Sequence, residues 1–159
     1  MRLDPKLLYL SAGALAAIAG FEGYRSSAYN DGVGVQTIGY GTTRYASGQV
    51  VKAGDKITPD RALIELAANA DKFQVELRKC FEGVPFHQHE WDALVSWAYN
   101  IGTTKACGST AAARFRAGDY AGGCEAMTWY VKAGGRYSQG LANRRSKEYL
   151  MCTGEAGHD

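Results

Sequence analysis

Two carboxylates near the start of the chain, Glu22 and Asp31, are the residues whose type and spacing best suit acid–base chemistry. Glu22 follows an apolar stretch that ends in Phe21, and apolar surroundings disfavour the charged form of a carboxyl group. Asp31 stands in the polar turn Asn30-Asp31-Gly32, where we expect it to stay ionised. Such a pair suits glycosidic bond cleavage, in which one carboxyl protonates the leaving oxygen and the other supports attack at the sugar carbon. Pairs of this kind are common in chains of 159 residues, so the spacing alone identifies no reaction.

The histidines and glycines of the chain fit neither a metal site nor a nucleotide-binding loop. The pair His89-Glu90 would need a second histidine at position 93 to form a metalloprotease helix, and Ala93 stands there. The glycine-rich stretch that begins at Gly32 would need a glycine at position 37 to form a phosphate-binding loop, and Thr37 stands there. We therefore expect no metal ion and no organic cofactor.

Composition and charge are those of a soluble globular protein with one compact domain. Hydrophobic residues make up 46% of the chain and charged residues 21%, which is the usual balance for such a protein. The formal net charge is only +2, whereas a nucleic-acid-binding domain usually carries a larger and clustered basic patch. We expect no nucleic-acid partner.

Four cysteines lie in the second half of the chain, and they lack the spacing of a zinc site or a C-x-x-C redox motif. An even number of cysteines leaves three disulfide pairings open, beside the alternative of four reduced thiols in a cytosolic protein. The count favours an oxidising compartment. The residues are Cys80, Cys107, Cys124 and Cys152.

An uncharged apolar stretch runs from Leu7 to Phe21, with Arg2 and Lys6 before it. It is short for a membrane-spanning helix and similar in length to the apolar region of a signal peptide. We favour a buried amphipathic helix that leads into Glu22. A weak, releasable signal-anchor remains the alternative.

The elements around the carboxylates are predicted from local signals. Strand-prone residues and the Asn30-Asp31-Gly32 turn predict two or three short antiparallel strands over residues 28–45. Thr58 as N-cap and Pro59 in the first turn predict a long helix over residues 59–81, with apolar residues recurring at helical spacing. Shorter helices are predicted over residues 87–101, from Ser109 to Gly118, over residues 124–131 and over residues 139–151, with a flexible link at residues 134–135 and a frayed end at residues 154–159.

A resemblance to a known family rests on three collinear segments. FEGYRSSAYNDGVGVQTIGYGTT, residues 21–43, resembles the catalytic signature of the phage-type lysozymes or endolysins of glycoside hydrolase family 24. HQHEWDALVSWAYNIG, residues 87–102, resembles the central helix of the larger lobe in that family. RAGDYAGGCEAMTWYVKAGGRYSQGLANRRSKEYLMC, residues 116–152, resembles its closing segment. The resemblance covers residues 11–152 in order.

The resemblance implies a role for each matching residue. Glu22 matches the general acid of the family, Asp31 its second carboxylate, and Thr37 the threonine that helps to hold the attacking water. Arg144 matches an arginine that pairs with the catalytic glutamate. That arginine would oppose the effect of apolar surroundings on Glu22, and the sequence leaves open which effect is larger. Members of this family are regarded as inverting enzymes, which implies carboxyl groups roughly 6.5–9.5 Å apart.

Further implications concern the glycan cleft, the disulfides and one departure from the family. Thr43, Tyr99 and Asn100 match positions that line the cleft in the family, although each has an alternative structural role. Relatives with cysteines near these positions imply the pairs Cys80–Cys107 and Cys124–Cys152. Many relatives have a histidine where this chain has Thr42, so local stability and pH dependence are expected to differ.

The resemblance implies an α+β fold that is mostly helical, with a small β-containing lobe and a larger helical lobe joined by a long helix. We predict one lysozyme domain over residues 1–159, with the small lobe at 22–60, the linking helix at 59–81, the helical lobe at 82–155, and helix 8–21 packed on the helical lobe. The implied function is hydrolysis of the β-1,4 bond between N-acetylmuramic acid and N-acetylglucosamine in bacterial peptidoglycan, which lyses the host cell.

We expect a monomer that works in the host periplasm, reached through a holin lesion or by release of a membrane anchor at residues 7–21. A catalytically silent wall-binding module with the same fold is one alternative function. A transglycosylase is the other.

Overall fold

A computed structural model describes residues 1–156, which fold into two compact units. One unit, which we call the helical unit, combines Met1–Ser11 with the chain from Phe73 onward. The other, Ala12–Lys72, we call the carboxylate unit. The last three positions of the predicted domain and of the predicted frayed end, residues 157–159, lie outside the described residues. The predicted packing of residues 8–21 on the helical lobe stays a prediction.

The carboxylate unit contains helix α1 (Ala12–Glu22), strands β1 (Arg25–Asn30) and β2 (Gln36–Gly39), and the start of helix α2 (Pro59–Cys80). The strands pair antiparallel, with Tyr29 opposite Thr37 and an irregularity in the register before that pair. Further along, Arg44 and Val50 form an isolated bridge. The predicted two or three strands over residues 28–45 are therefore two strands that begin earlier, at Arg25, accompanied by isolated bridges.

Helix α1 differs from the predicted helix in extent and in pattern. It begins at Ala12, four residues after the predicted start at residue 8, and ends at Glu22. Its apolar side chains are spread around the whole helix, so the predicted amphipathic pattern is wrong. Ala14 and Ile18 are its buried residues. Within residues 1–156, no helix is both long enough and apolar enough to cross a bilayer.

Residues 1–11, which we call the N-terminal strap, explain why the helix starts late. Pro5–Leu7 form one turn of 3₁₀-helix, and the following backbone is bound by side chains of the helical unit. The Arg78 side chain donates to the carbonyl oxygens of Pro5 and Leu8, at 3.1 and 2.7 Å. The amide N–H of Leu10 donates to Gln74 at 2.7 Å. These long-range bonds use backbone groups that a helix would have used internally.

The helical unit is built around an apolar core of large aromatic residues. Phe81, Phe86, Trp91 and Phe115 are completely buried there, and Leu8 of the strap joins them. Phe86 makes edge contacts with Phe81 and Phe115 at centroid distances of 5.4 Å. The elements that follow α2 are α3 (Gln88–Ile101), α4 (Thr103–Cys107), α5 (Thr110–Arg116), α6 (Tyr120–Met127), β3 (Lys132–Ala133), β4 (Arg136–Tyr137) and α7 (Gln139–Thr153).

Local caps set most helix boundaries in this unit. Ser109 caps α5 by accepting from the N–H of Ala112, as the sequence predicts. The helix predicted over residues 124–131 instead runs from Tyr120 to Met127, because Asp119 caps it by accepting from the N–H of Gly122. The two glycines predicted to form a flexible link at residues 134–135 both have positive φ and form the turn of the β3–β4 hairpin, and their flexibility stays a prediction.

Two disulfides cross-link the helical unit. Cys80 at the end of α2 is bonded to Cys107 at the end of α4, and Cys124 of α6 is bonded to Cys152 of α7. This is the pairing that the family resemblance implies. Each bond closes a loop of similar length, with sequence separations of 27 and 28 residues.

Candidate functional site

Glu22 is the last residue of α1, and its carboxylate lies against the backbone of Gly41. A Cβ atom added to Gly41 would stand 3.1 Å from Oε2 of Glu22. Gly41 also has a φ of +81°, a conformation that residues with side chains rarely adopt. Two independent features therefore favour glycine at position 41: the backbone conformation and the close approach of the Glu22 carboxylate.

Asp31 lies in an exposed turn between β1 and β2, and its side chain shapes that turn. Its Oδ1 accepts hydrogen bonds from the backbone N–H groups of Val33 and Val35, at 2.9 and 3.2 Å. The preceding Asn30 does the same for the N–H groups of Gly32 and Gly34. Both of these bonds use Oδ1, so neither of them occupies Oδ2.

Thr37 is positioned by strand β2. It is 6% exposed and faces Tyr29 across the sheet, one pair from the end of the ladder at Asn30 and Gln36. The turn that holds Asp31 continues directly from that end, because the N–H of Asp31 donates to the carbonyl oxygen of Val35 at 3.1 Å. One hairpin therefore fixes the spacing of Asp31 and Thr37.

Thr42, at the position where many relatives have histidine, is completely buried. Its backbone exchanges two hydrogen bonds of 2.9 Å with Ile38. Its hydroxyl has no hydrogen-bond partner within the described residues. A buried hydroxyl without a partner typically costs about 1–3 kcal/mol, so this position carries a local cost in stability. The next residue, Thr43, is exposed.

The loop that follows Thr43 is tied by polar side chains. Tyr45 donates its hydroxyl to Oδ2 of Asp55 at 2.9 Å, and the N–H of Lys52 donates to the same oxygen at 3.0 Å. Burial and the bond to Asp55 raise the pKa of Tyr45 to about 12. The bonds from Lys52 and Tyr45 lower the pKa of Asp55. Buried Glu65 of α2 accepts from the N–H of Ala46 at 2.7 Å.

Tyr99, Asn100 and Arg144 lie in the helical unit, whereas Glu22, Asp31, Thr37 and Thr43 lie in the carboxylate unit. Tyr99 is half-buried, and its ring packs on Phe73 at a centroid distance of 4.9 Å. Asn100, in the last turn of α3, is exposed. Arg144 on α7 is 6% exposed and donates to the carbonyl oxygen of Ser96 at 2.9 Å.

A buried ionic network around Arg144 was missed by the sequence interpretation. Glu148 is completely buried and accepts from Nε of Arg144 at 2.9 Å and from Nη1 of Arg145 at 2.7 Å. It also accepts from the hydroxyl of Ser96 at 2.8 Å. Burial lowers the pKa of Arg145, an effect that Glu148 opposes. The spacing of Glu148 at three and four residues from the two arginines was the signal available in the sequence.

The side chains able to hold a metal do not cluster. His87 and His89 stack at a centroid distance of 5.3 Å, and His89 Nδ1 lies 3.0 Å from the carbonyl oxygen of Cys152. No group of three or more histidine, cysteine, aspartate or glutamate side chains in residues 1–156 has an arrangement that could hold a metal ion. The chemistry that the arrangement around Glu22 and Asp31 supports is acid–base chemistry by carboxylates.

Comparison with known proteins gives one consistent result. The family model described as phage lysozyme matches residues 19–148. The chain is similar to the SAR-endolysin of Pseudomonas phage phiKMV, at 36% identity over 89% of this chain and 86% of the relative. It is also similar to the SAR-endolysin of Escherichia phage 933W, at 35% identity over 96% of this chain and 98% of the relative.

Solved structures agree with these relatives. The endolysin from Escherichia coli O157:H7 phage FAHEc1 superposes with a TM-score of 0.86, at 40% identity over 98% of both chains. A mutant of P22 lysozyme superposes with a TM-score of 0.83, at 27% identity over 92% of this chain and 99% of that chain. The mostly helical fold with a small antiparallel sheet is thus that of known phage lysozymes.

Proposed function

This chain belongs to the phage lysozyme family and is a peptidoglycan-hydrolysing endolysin, and we propose that Glu22, Asp31 and Thr37 carry out the reaction. The bond cleaved is the β-1,4 bond between N-acetylmuramic acid and N-acetylglucosamine. The observation that carries the proposal is how the two carboxylates are held. Glu22 ends a helix against a glycine that leaves it room, and Asp31 is fixed through one oxygen in a hairpin turn.

The two carboxylates take different parts in one displacement. Glu22 donates its proton to the glycosidic oxygen while the bond from that oxygen to the anomeric carbon breaks. A water molecule, held by Thr37, attacks the opposite face of the sugar and gives up a proton to Asp31. The configuration at the anomeric carbon is inverted, which requires the carboxyl groups to stand roughly 6.5–9.5 Å apart.

Other residues of the chain bind the substrate or tune the acid. We propose that Thr43, Tyr99 and Asn100 contact the glycan and that Arg144 pairs with Glu22. The exposure of Thr43 and Asn100 supports the first part, since a residue that binds substrate must reach the surface. The second part is supported by the hydrogen bonds from Arg144 to Ser96 and Glu148, because they hold the Arg144 guanidinium in one position.

The test is the clearing of permeabilised Gram-negative cells together with analysis of the products. Glu22→Gln and Asp31→Asn are each expected to slow clearing by about 10²–10⁴-fold, the usual contribution of an acid or base. Glu82→Gln is the matched control, because Glu82 is an exposed residue that pairs with Lys6 at the surface.

Three outcomes would contradict the proposed mechanism. If Glu22→Gln clears cells as fast as the wild type, Glu22 is not the acid. If wild type and Glu22→Gln clear cells equally slowly while both bind the wall, the chain is a wall-binding module. An anhydro-sugar product would identify a transglycosylase, in which Asp31 and Thr37 matter little.

We also propose that the enzyme works in the host periplasm as a monomer and that residues 7–21 form a releasable membrane anchor. Their lack of charge supports this proposal, as do the relatives named SAR-endolysin. The anchored form would be inactive, because Glu22 would lie at the membrane edge. Cell fractionation before and after membrane depolarisation is expected to move the protein from the membrane to the soluble fraction. Exclusively cytoplasmic protein before lysis would contradict the anchor and indicate export through a holin lesion.

A further inference from the structure

Arg145 is a buried cation whose position is fixed inside the helical unit. Its side chain is 2% exposed, and Nη1 donates to Oε2 of Glu148 at 2.7 Å. Arg145 Nε has no hydrogen-bond partner within the described residues. A buried guanidinium with an unmet donor carries a cost in stability.

Glu148 leaves Arg145 little freedom to move. The Glu148 carboxylate is completely buried and also accepts from Arg144 and Ser96, so both of its oxygens are engaged. Charged hydrogen bonds of this kind are short and directional. The Arg145 guanidinium plane is therefore set by a group that cannot itself turn.

The other terminal nitrogen of the Arg145 guanidinium bonds to an exposed residue, Asn100. Nη2 of Arg145 donates to Oδ1 of Asn100, an exposed residue in the last turn of α3. A guanidinium has donors only, so the amide of Asn100 must turn its oxygen towards Arg145. Its NH₂ group then points away from Arg145. The buried Arg145–Glu148 pair thus sets the orientation of the Asn100 amide and leaves its NH₂ group available to a ligand.

We propose that Arg145 is a positioning residue, which turns Asn100 so that its NH₂ group donates a hydrogen bond to an acceptor oxygen of the glycan. This inference rests on the proposed function, because it takes Asn100 as a substrate contact. Sugar hydroxyls and the carbonyl oxygens of N-acetyl groups are acceptors of the required kind. Arg145 acts through Asn100 and does not itself touch the substrate.

A purely structural role makes the opposite prediction. In that case Asn100 serves only to accept the hydrogen bond from Arg145, and any acceptor of the same shape is equally good. Asn100→Asp separates the two roles. It keeps an oxygen towards Arg145, strengthens that contact with a charge, and replaces the outward donor by an acceptor.

The experiment measures kcat and KM on a soluble oligosaccharide of alternating N-acetylglucosamine and N-acetylmuramic acid. We expect Asn100→Asp to raise KM about tenfold or more, since a lost donor leaves the substrate acceptor unpaired. The kcat value should change less than threefold, and the thermal midpoint should stay the same or rise. Asn143→Asp is the matched control. It makes the same charge change at another exposed asparagine, whose oxygen accepts from Gln139 on the same helix, and its KM should stay at the wild-type value.

A second pair of variants tests Arg145 itself. Arg145→Met removes the donor, and Asn100 can then turn either way, so KM should rise severalfold. Arg145→Lys keeps a cationic donor and should recover part of the loss. If Arg145→Met does not fold, the measurement on Asn100→Asp still decides, because Asn100 is exposed.

Each result bears on one claim. An unchanged KM for Asn100→Asp, or an equal rise for Asn143→Asp, would overturn the donor role of Asn100. Activity of Glu22→Gln tests the acid independently. Binding of sacculi by Glu22→Gln and by the double variant with Asn100→Asp shows whether Asn100 contributes to binding without any turnover. Equal binding by the two proteins would also overturn the proposal.

Discussion

The two units of the molecule hold their structures in different ways. In the helical unit, large aromatic side chains such as Phe86 and Trp91 are completely buried, and two disulfides join its helices. The carboxylate unit contains no cysteine, and its short sheet has two strands. Hydrogen bonds such as Tyr45–Asp55 and Ala46–Glu65 hold the loop that follows Thr43.

This difference separates what stabilises the protein from what carries out its chemistry. The proposed catalytic carboxylates sit in the unit that has no disulfide and no completely buried aromatic side chain, on a helix end and in an exposed turn. Their positions depend on local hydrogen bonds and on a glycine. Stability should therefore respond most to changes in the helical unit, and activity to small changes in the carboxylate unit.

Loss of a disulfide is the largest expected effect on stability. Replacing Cys80 and Cys107 by serine should lower the free energy of unfolding by about 3–4 kcal/mol, since a closed loop of this length restricts the unfolded chain. The thermal midpoint should fall by roughly 10 °C. Activity well below that midpoint should remain.

Replacement of Cys124 and Cys152 should have a similar effect, because the two loops are of nearly equal length. Thermal unfolding with and without a reductant is the companion measurement. A reduced wild-type protein with an unchanged midpoint would show that the cross-links do not stabilise the helical unit.

A single methyl group at Gly41 is expected to reduce activity more than stability. Gly41→Ala places a Cβ atom at 3.1 Å from Oε2 of Glu22 and forces alanine into a φ of +81°. The backbone strain costs about 1–2 kcal/mol. Displacement of the carboxylate should lower kcat about tenfold or more.

Gly48→Ala is the control for the backbone strain. Gly48 has a φ of +92°, but nothing lies within 4 Å of an added Cβ atom. The two variants should lose similar stability by thermal unfolding, and only Gly41→Ala should lose activity. Equal loss of activity in both would mean that backbone strain alone, and not contact with Glu22, is responsible.

Loss of the hydrogen bond between Tyr45 and Asp55 should have the smallest effect, visible as a change in how stability depends on pH. The pKa of Tyr45 in the folded protein is about 12, above the ordinary value of about 10, so its stabilising contribution is full below pH 10 and is lost towards pH 12. The pKa of Asp55 is lowered, so its contribution is present above about pH 4 and is lost at more acidic pH.

Tyr45→Phe should therefore lower the thermal midpoint by about 2 °C at neutral pH, and the difference from wild type should shrink above pH 10. Activity should stay unchanged. Tyr137→Phe, at an exposed tyrosine of the β3–β4 hairpin, is the control. If the thermal midpoints of Tyr45→Phe and wild type differ by the same amount from pH 7 to 12, the stabilising hydrogen bond between Tyr45 and Asp55 is contradicted.

Elements with local signals were predictable from the sequence. Pro59 and Gly102 bound α2 and α3 as expected, because a proline in the first turn and a glycine after the last turn act within a few residues. Ser109 likewise caps α5. The candidate carboxylates were found by their resemblance to family motifs, and the structure adds how Gly41 and the turn hold them.

Features that depend on distant residues were not predictable in this way. The late start of α1 comes from bonds between the strap and residues more than sixty positions away, such as Gln74. The bond from Arg145 to Asn100 joins residues 45 positions apart. At residues 134–135 the two glycines were interpreted as a flexible link, although their positive φ angles suit the tight turn of a hairpin.

The N-terminal strap also sets an order for folding during synthesis. The carboxylate unit is one continuous segment, so all of it is free to fold once Lys72 has left the ribosome. The helical unit needs the first residues made, because Arg2 bonds Glu90 and Ser11 bonds Asp92. It also needs residues near the end of the chain, because Cys152 is bonded to Cys124. Its closure therefore waits until most of the chain has been translated, so we expect the carboxylate unit to fold first during synthesis.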